Sequence, residues 1–162
     1  MIFWRIFIQS LKLPSKKALF ILNRVGMDFV VLYMFLLLLI VSIPSFINQL
    51  IESQEIYVQS FFLIIYFFIF YYLPINVIVF LFLSFIAFLG MGITKIMKRK
   101  LRFSILWKMI AFATTLPFTV YTIISLFAPV HQIYLLFSIL YTFILLIKMI
   151  SIYPKRTNRI KR

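Results

Sequence analysis

Cysteine is absent from the 162 residues, the only acids are Asp28, Glu52 and Glu55, and His131 is the sole histidine. Each shortage removes a class of chemistry. Without cysteine there are no disulfides, thiolate metal sites or thiol nucleophiles. One histidine and three carboxylates supply too few ligands for a metal centre and too few partners for acid–base catalysis. Glycine occurs only at Gly26, Gly90 and Gly92, so there is no glycine-rich phosphate loop, and no His-Glu-x-x-His zinc motif is present. No cofactor is expected, and no enzymatic activity.

What remains is apolar and basic. Apolar residues make up 65% of the chain and mean hydropathy is +1.13, against ~45–50% apolar content in soluble domains. The composition predicts an all-α membrane domain with no separate soluble core. Seventeen Lys/Arg give a net charge of +14. These residues flank the apolar runs, which points to orientation and contact with anionic lipid headgroups rather than to nucleic acid.

From the N-terminus, residues 1–13 alternate as an amphipathic helix. Arg5, Gln9, Lys12 and Lys16 recur at helical spacing, opposite Ile2, Phe3, Ile6 and Phe7. It should lie in the interface with Trp4 at headgroup depth. The apolar patch is too short for a signal peptide, and no small-residue cleavage site follows it. Pro14 breaks the pattern, Ser15 can cap a second segment over 16–23, and Asp28 can cap the next helix and pair with Arg24. Residues 1–26 thus form a cytoplasmic amphipathic segment.

Spans are expected at 29–47, 75–94, 109–128 and 133–150, with a basic cytoplasmic linker at 95–108 and a basic tail at 151–162. The piece that decides the topology is 57–73, since residues 56–94 contain no charged side chain. If 57–73 crossed the bilayer, the six Lys/Arg of the linker would lie outside, against the positive-inside rule. It is therefore read as an apolar outer, re-entrant or helix-extending segment, with Tyr71 and Tyr72 at the outer interface. Trp107 is expected to mark the inner interface, and Lys148 to snorkel from its span. All seventeen Lys/Arg then fall on one side. No internal repeat is evident.

Few groupings could carry chemistry. Glu52, Glu55 and His131 share the outer side, but two solvated loop acids and a turn histidine explain them more simply. Thr115, Thr119, Thr122 and Ser125 form a hydroxyl stripe. Gly90 and Thr94 have small-xxx-small spacing. Both features read as helix-packing surfaces, for a second copy or another membrane protein. The lipid-facing basic set is Lys16, Lys17, Lys98, Arg99, Lys100 and Arg102.

Three stretches together are familiar: Ser10-Leu11-Lys12-Leu13-Pro14-Ser15-Lys16-Lys17; Arg24-Val25-Gly26; and Lys98-Arg99-Lys100-Leu101 through Trp107-Lys108 to Ala113-Thr114-Thr115-Leu116-Pro117. They resemble the bacterial membrane family carrying domain of unknown function 1189, related to Yip-type multi-span proteins. Members carry a longer extracytoplasmic segment after the first span, where this chain has about a dozen polar residues. Some relatives are labelled maltodextrin-utilisation proteins, so the resemblance implies at most a loose link to sugar uptake. It supplies no catalytic residues.

The expected protein is a bacterial cell-membrane scaffold or accessory subunit with both termini cytoplasmic. A small transport component or pore-forming oligomer is the alternative. Single cysteines at Ser15, Ser53, Ser104 and Thr157, treated in intact cells with an impermeant thiol reagent, test the topology. Only Ser53→Cys should react; labelling of Ser104→Cys would mean five crossings.

Overall fold

The structure is a computed structural model that describes residues 2–53 and 60–154, without the side chains of Glu52, Ser53 and Ser60. The chain forms α1 (Ile2–Leu11), α2 (Lys16–Asn23), α3 (Met27–Ser53), α4 (Ser60–Tyr66), a π-helical segment (Phe67–Tyr72), α5 (Leu73–Ile96), α6 (Phe103–Ala113), α7 (Thr115–Phe127) and α8 (Ile133–Ile152). Four stretches are long and apolar enough to cross a membrane: Met27–Ile51, Phe61–Ile96, Phe103–Phe127 and Ile133–Ile152. The protein is a multi-pass, all-α membrane protein with a shorter apolar helix at its N-terminus.

Pro14 and Ser15 separate the first two helices as expected. The Ser15 hydroxyl accepts from the Ala18 amide at 3.3 Å, which satisfies one orphan donor of the first turn. α1 buries Ile6 and Ser10, and α2 buries Ala18, Leu19 and Leu22. Both pack beneath α6, so they form a platform against the basic end of the bundle. Asp28 departs from expectation. α3 begins at Met27, two residues earlier than a cap at Asp28 requires, placing Asp28 exposed within its first turn, where it makes no capping bond and no pair with Arg24. A carboxylate there still complements the helix dipole.

The charge-free stretch resolves as an extension of a helix. Chain direction does not reverse at Pro74: α4, the π segment and α5 run on as one 36-residue apolar stretch. Proline offers no amide to the carbonyl four residues back. The π register pairs each carbonyl with the residue five on, as Leu73 N–H does with Phe68 O, and so steps past that gap. In the third span, helix geometry is interrupted at Thr114, three residues before Pro117, for the same reason.

The core lies in the basic half. Val30, Tyr33, Met34 and Leu37 of α3 recur at helical spacing and meet Leu83, Ile86 and Ala87 of α5, Leu106 and Ile110 of α6, and Leu146 and Met149 of α8. Trp107 belongs to this packing rather than to an interface. It is buried, its Nε1 donates to Ser84 Oγ at 3.1 Å, and its ring meets Phe80 edge-on. An indole that finds an acceptor inside the bundle has no need of headgroup water. Of residues 95–108, the part from Phe103 onward is already helical.

α5 ends in a paired-turn cap. Arg99 N–H reaches Thr94 O at 2.8 Å and Lys98 N–H reaches Lys95 O at 3.1 Å, with Lys98 in the left-handed region at φ 52°. Glycine is the usual residue there, because an L side chain costs about 1–2 kcal/mol. Lys98→Gly should therefore raise unfolding stability in detergent by about 1 kcal/mol; a lowered melting midpoint would contradict this account.

Candidate functional site

At the basic end, one side chain ties the platform to the bundle. Lys108 Nζ donates to Val25 O at 2.6 Å and to Asn23 O at 3.3 Å. These carbonyls stand at the C-terminal end of α2, where the helix leaves acceptors unpaired and its dipole favours a cation. The spacing of Lys108 inside an apolar helical pattern was the available signal for such an inward role. Tyr33 adds a second tie. Its hydroxyl and that of Thr115 share a buried hydrogen bond of 2.8 Å, and its ring contacts Phe3 and Phe112. A third contact places Phe20 of α2 against Tyr153 after α8, at 5.7 Å between centroids. Burial pushes the Tyr153 phenol pKa up from its ordinary value.

The basic residues singled out in the sequence gather at this same end. Lys16, Lys17, Lys98, Lys100 and Arg102 are exposed, and Arg99 is half-buried. The tail 155–162 lies outside the described residues, as does Glu55. His131 is exposed at the opposite, far end, where its Nδ1 accepts from the amide of Ile133, the first residue of α8, at 3.3 Å. Among the described residues no group of three His, Cys, Asp or Glu could hold a metal.

The small and hydroxylated residues are mostly consumed inside the chain. Gly90 is buried, and an added Cβ would stand 3.2 Å from Leu146 Cδ2. Thr94, Thr115 and Thr122 are buried. Thr94 Oγ1 donates to Met91 O, Thr122 Oγ1 to Phe118 O, and half-buried Thr119 Oγ1 to Thr115 O and Leu116 O. Helical hydroxyls that bond back to their own carbonyls present little free polarity. Gly92 has nothing within 4 Å of where its Cβ would be.

Sequence reasoning gave no sign of a cavity at the far end. There the bundle opens into a cavity of about 310 Å³ between α3, α5, α7 and α8. Its walls include Leu38, Val79 and Phe118, and its rim carries Tyr71, Tyr121 and His131. The tyrosines are largely engaged elsewhere: Tyr71 OH donates to Ser45 Oγ at 2.7 Å and Tyr134 OH to Pro117 O at 2.6 Å. The lining is thus apolar with few free donors, suited to hydrocarbon more than to a sugar. No local motif could have shown it, since its walls come from four separated helices.

Beyond this cavity stands an arm. α8 and α5 run in the same direction, and Gly90 sits level with Leu146, so the start of α8 at Ile133 lies level with Val77. The α4–π–α5 stretch continues past that level by roughly 25 Å, and α3 past Ser42 by roughly 16 Å, at 1.5 Å per residue. The two are held together by the Tyr71–Ser45 bond, by Tyr72 OH donating to Phe35 O at 2.8 Å, and by Phe46 against Phe67.

A family model described as a protein of unknown function, DUF1189, matches residues 48–150, well over half of the chain. The chain belongs to that family. No curated protein matches the sequence, and no solved structure matches it. The DUF1189 match takes in the end of α3, the arm's aromatic helix, the cavity walls that come from α5, α7 and α8, and the chain from α5 through all but the last two residues of α8.

The Lys108 tie has a measurable weight. Charge-assisted hydrogen bonds are worth ~1.5–3 kcal/mol, so Lys108→Met should destabilise the platform by about 2 kcal/mol. Trypsin cuts within α2 at Lys16 and Lys17 only when that helix opens. Cleavage there should accelerate in the variant, and an unchanged rate would show that the platform is held by its apolar contacts alone.

Proposed function

We propose that the protein works by association, as a non-enzymatic membrane scaffold or accessory subunit whose far-end arm docks a partner's transmembrane helix. The arm's length carries this reading. A 36-residue helix is about 54 Å long, against a hydrocarbon core of ~30 Å and ~40–45 Å with its headgroup regions. Fitting it within the core by tilting would need roughly 55°, beyond the 0–40° range of membrane helices. The arm is nonetheless apolar on its outside: Phe61 is 68% exposed, Phe62 61% and Phe70 66%. Aromatic surface of this kind beyond a membrane span asks for a covering partner.

The orientation belongs to the same proposal. Every described Lys and Arg sits at the platform end, and the positive-inside rule would put that end, with both termini, in the cytoplasm of a bacterial cell. The Yip-type kinship implied by the resemblance is carried as part of this reading. So is the sugar-uptake link, in which the protein would assist a carrier rather than be one. The internally bonded hydroxyls of α7 support that choice, because a sugar path needs free donors and acceptors. A second reading, a small transport component or pore-forming oligomer, draws on the 310 Å³ cavity.

Photo-crosslinking in cells separates the two. A benzophenone side chain at Phe62 or Phe70 should yield one discrete product, whose mass tells a second copy from another protein, whereas one at Phe85, on the span, should yield none. In parallel, liposomes holding purified protein should show no flux of ions or small sugars. Robust flux abolished by Thr119→Leu, without an arm product, would favour the transport reading.

A further inference from the structure

A cleft of about 320 Å³ opens between α1 and α2, at the basic end and apart from the far-end cavity. Two guanidiniums flank it. Arg5 projects from α1 and Arg24 stands at the C-cap of α2. Gln9, one turn beyond Arg5 on the same face, adds an amide. Between them the lining is apolar, with Ile2, Ile21 and Val25 among its residues.

No described residue answers these charges. Neither guanidinium has a hydrogen-bond or ion-pair partner among the described residues, and Asp28, one turn after Arg24, does not reach it. The carbonyls closing α2, which would otherwise attract a cation, are already taken by Lys108 from Asn23 and Val25. Two arginines held across one cleft repel unless an anion lies between them. Their planar forks match phosphate oxygens bidentately. A free phosphate would satisfy the arginines but leave the apolar lining wet. A phosphate attached to a glycerol and an acyl chain satisfies both, and a membrane protein meets such groups wherever its basic surface borders the bilayer.

We propose that the α1–α2 cleft binds one anionic phospholipid, its phosphate bridged by Arg5 and Arg24 and its glycerol and upper acyl chain lying along Ile2, Ile21 and Val25. The site is independent of the far-end arm: it would fix the platform to individual lipids whether or not the arm has a partner. It also differs from the set Lys16, Lys17, Lys98, Lys100 and Arg102, none of which lines the cleft, and which can offer only diffuse attraction.

The test uses the full-length purified protein in non-ionic detergent, titrated with phosphatidylglycerol, with phosphatidylcholine, or with inorganic phosphate. Native mass spectrometry counts bound lipid, and Trp4, on α1, reports binding by fluorescence. One phosphatidylglycerol should bind at least ~10-fold more tightly than phosphatidylcholine. Arg5→Gln with Arg24→Gln should weaken it by ~10-fold or more, and the Lys variants of both arginines, which keep the charge but lose the fork, by several-fold. Lys16→Gln with Lys17→Gln removes the same charge from exposed positions and should leave affinity within about twofold. Both arginines are exposed, so helicity by circular dichroism should be unchanged in every variant. Equal losses from the arginine and lysine pairs would reduce the site to surface charge and overturn it. Displacement of the lipid by millimolar inorganic phosphate, or retention of affinity in the Lys variants, would overturn the bridged-lipid geometry.

Discussion

Hydrocarbon has no hydrogen-bond donors for a backbone carbonyl, and the architecture of this chain is governed by how its carbonyls are satisfied without water. Three prolines fall within its apolar helices, Pro44 inside α3 and Pro74 and Pro117 in the spans that follow. At Pro74 the helix answers with a π segment, Phe67–Tyr72; at Pro117 it answers with the interruption at Thr114. Most side-chain hydrogen bonds end on main-chain oxygens: Tyr72 on Phe35, Tyr134 on Pro117, Ser84 on Phe80, and Lys108 on Asn23 and Val25. The last matters most, because it lets a helix end, which normally needs water, dock against a transmembrane bundle. From that docking follow the platform, the placing of Arg24 and the concentration of the core at one end.

The two ends consequently differ in kind. At the basic end four spans and two short helices interlock, with Leu106, Ile110, Leu146 and Met149 sealed from any surroundings. At the far end α7 and α8 stop early, α3 and α5 continue, and a cavity is left where the longer pair outruns the shorter. A single compact bundle would have placed all loops at one height. Unequal span lengths instead produce a rigid base and an unsupported apolar arm. That division suits a protein whose base meets lipid and whose arm meets a partner.

Much of this was legible in the residues. Long apolar runs free of charge in their central parts marked four spans, since burying ionised groups in hydrocarbon is costly, though their ends were set by packing and fell up to fourteen residues from those expected. Pro14 followed by Ser15 fixed the start of α2 to the residue. What escaped depended on tertiary partners. Trp107 looked like an interfacial anchor because sequence cannot reveal that Ser84, on another helix, waits to accept from its indole. Asp28 looked like a cap, but a two-residue shift in the start of α3 changes the role of a carboxylate entirely. Residues 57–73 read as an outer, re-entrant or helix-extending segment, since whether a proline such as Pro74 turns a chain or is absorbed by a π register depends on its neighbours. Here those include Tyr71 and Tyr72, bonded across to α3. The cavity and the lipid cleft are products of packing and had no local signature.

Exposure changes meaning with height along such a molecule. Phe85, at 58%, lies within the part of α5 level with α8, where acyl chains cover it at no cost. Phe61 and Phe62 are exposed to a similar degree, yet stand a further six or seven turns outward along the same helix, beyond the level where α7 and α8 end. The side chains are alike, the helix is continuous, and only the surroundings differ. Lipid tails can solvate the first and cannot follow the others through a headgroup layer without local thickening of the bilayer, which costs fractions of a kcal/mol for each Å of mismatch. Over a mismatch of roughly 20 Å those fractions accumulate to several kcal/mol. An apolar helix of a partner, laid along the arm, removes that cost while adding its own contacts.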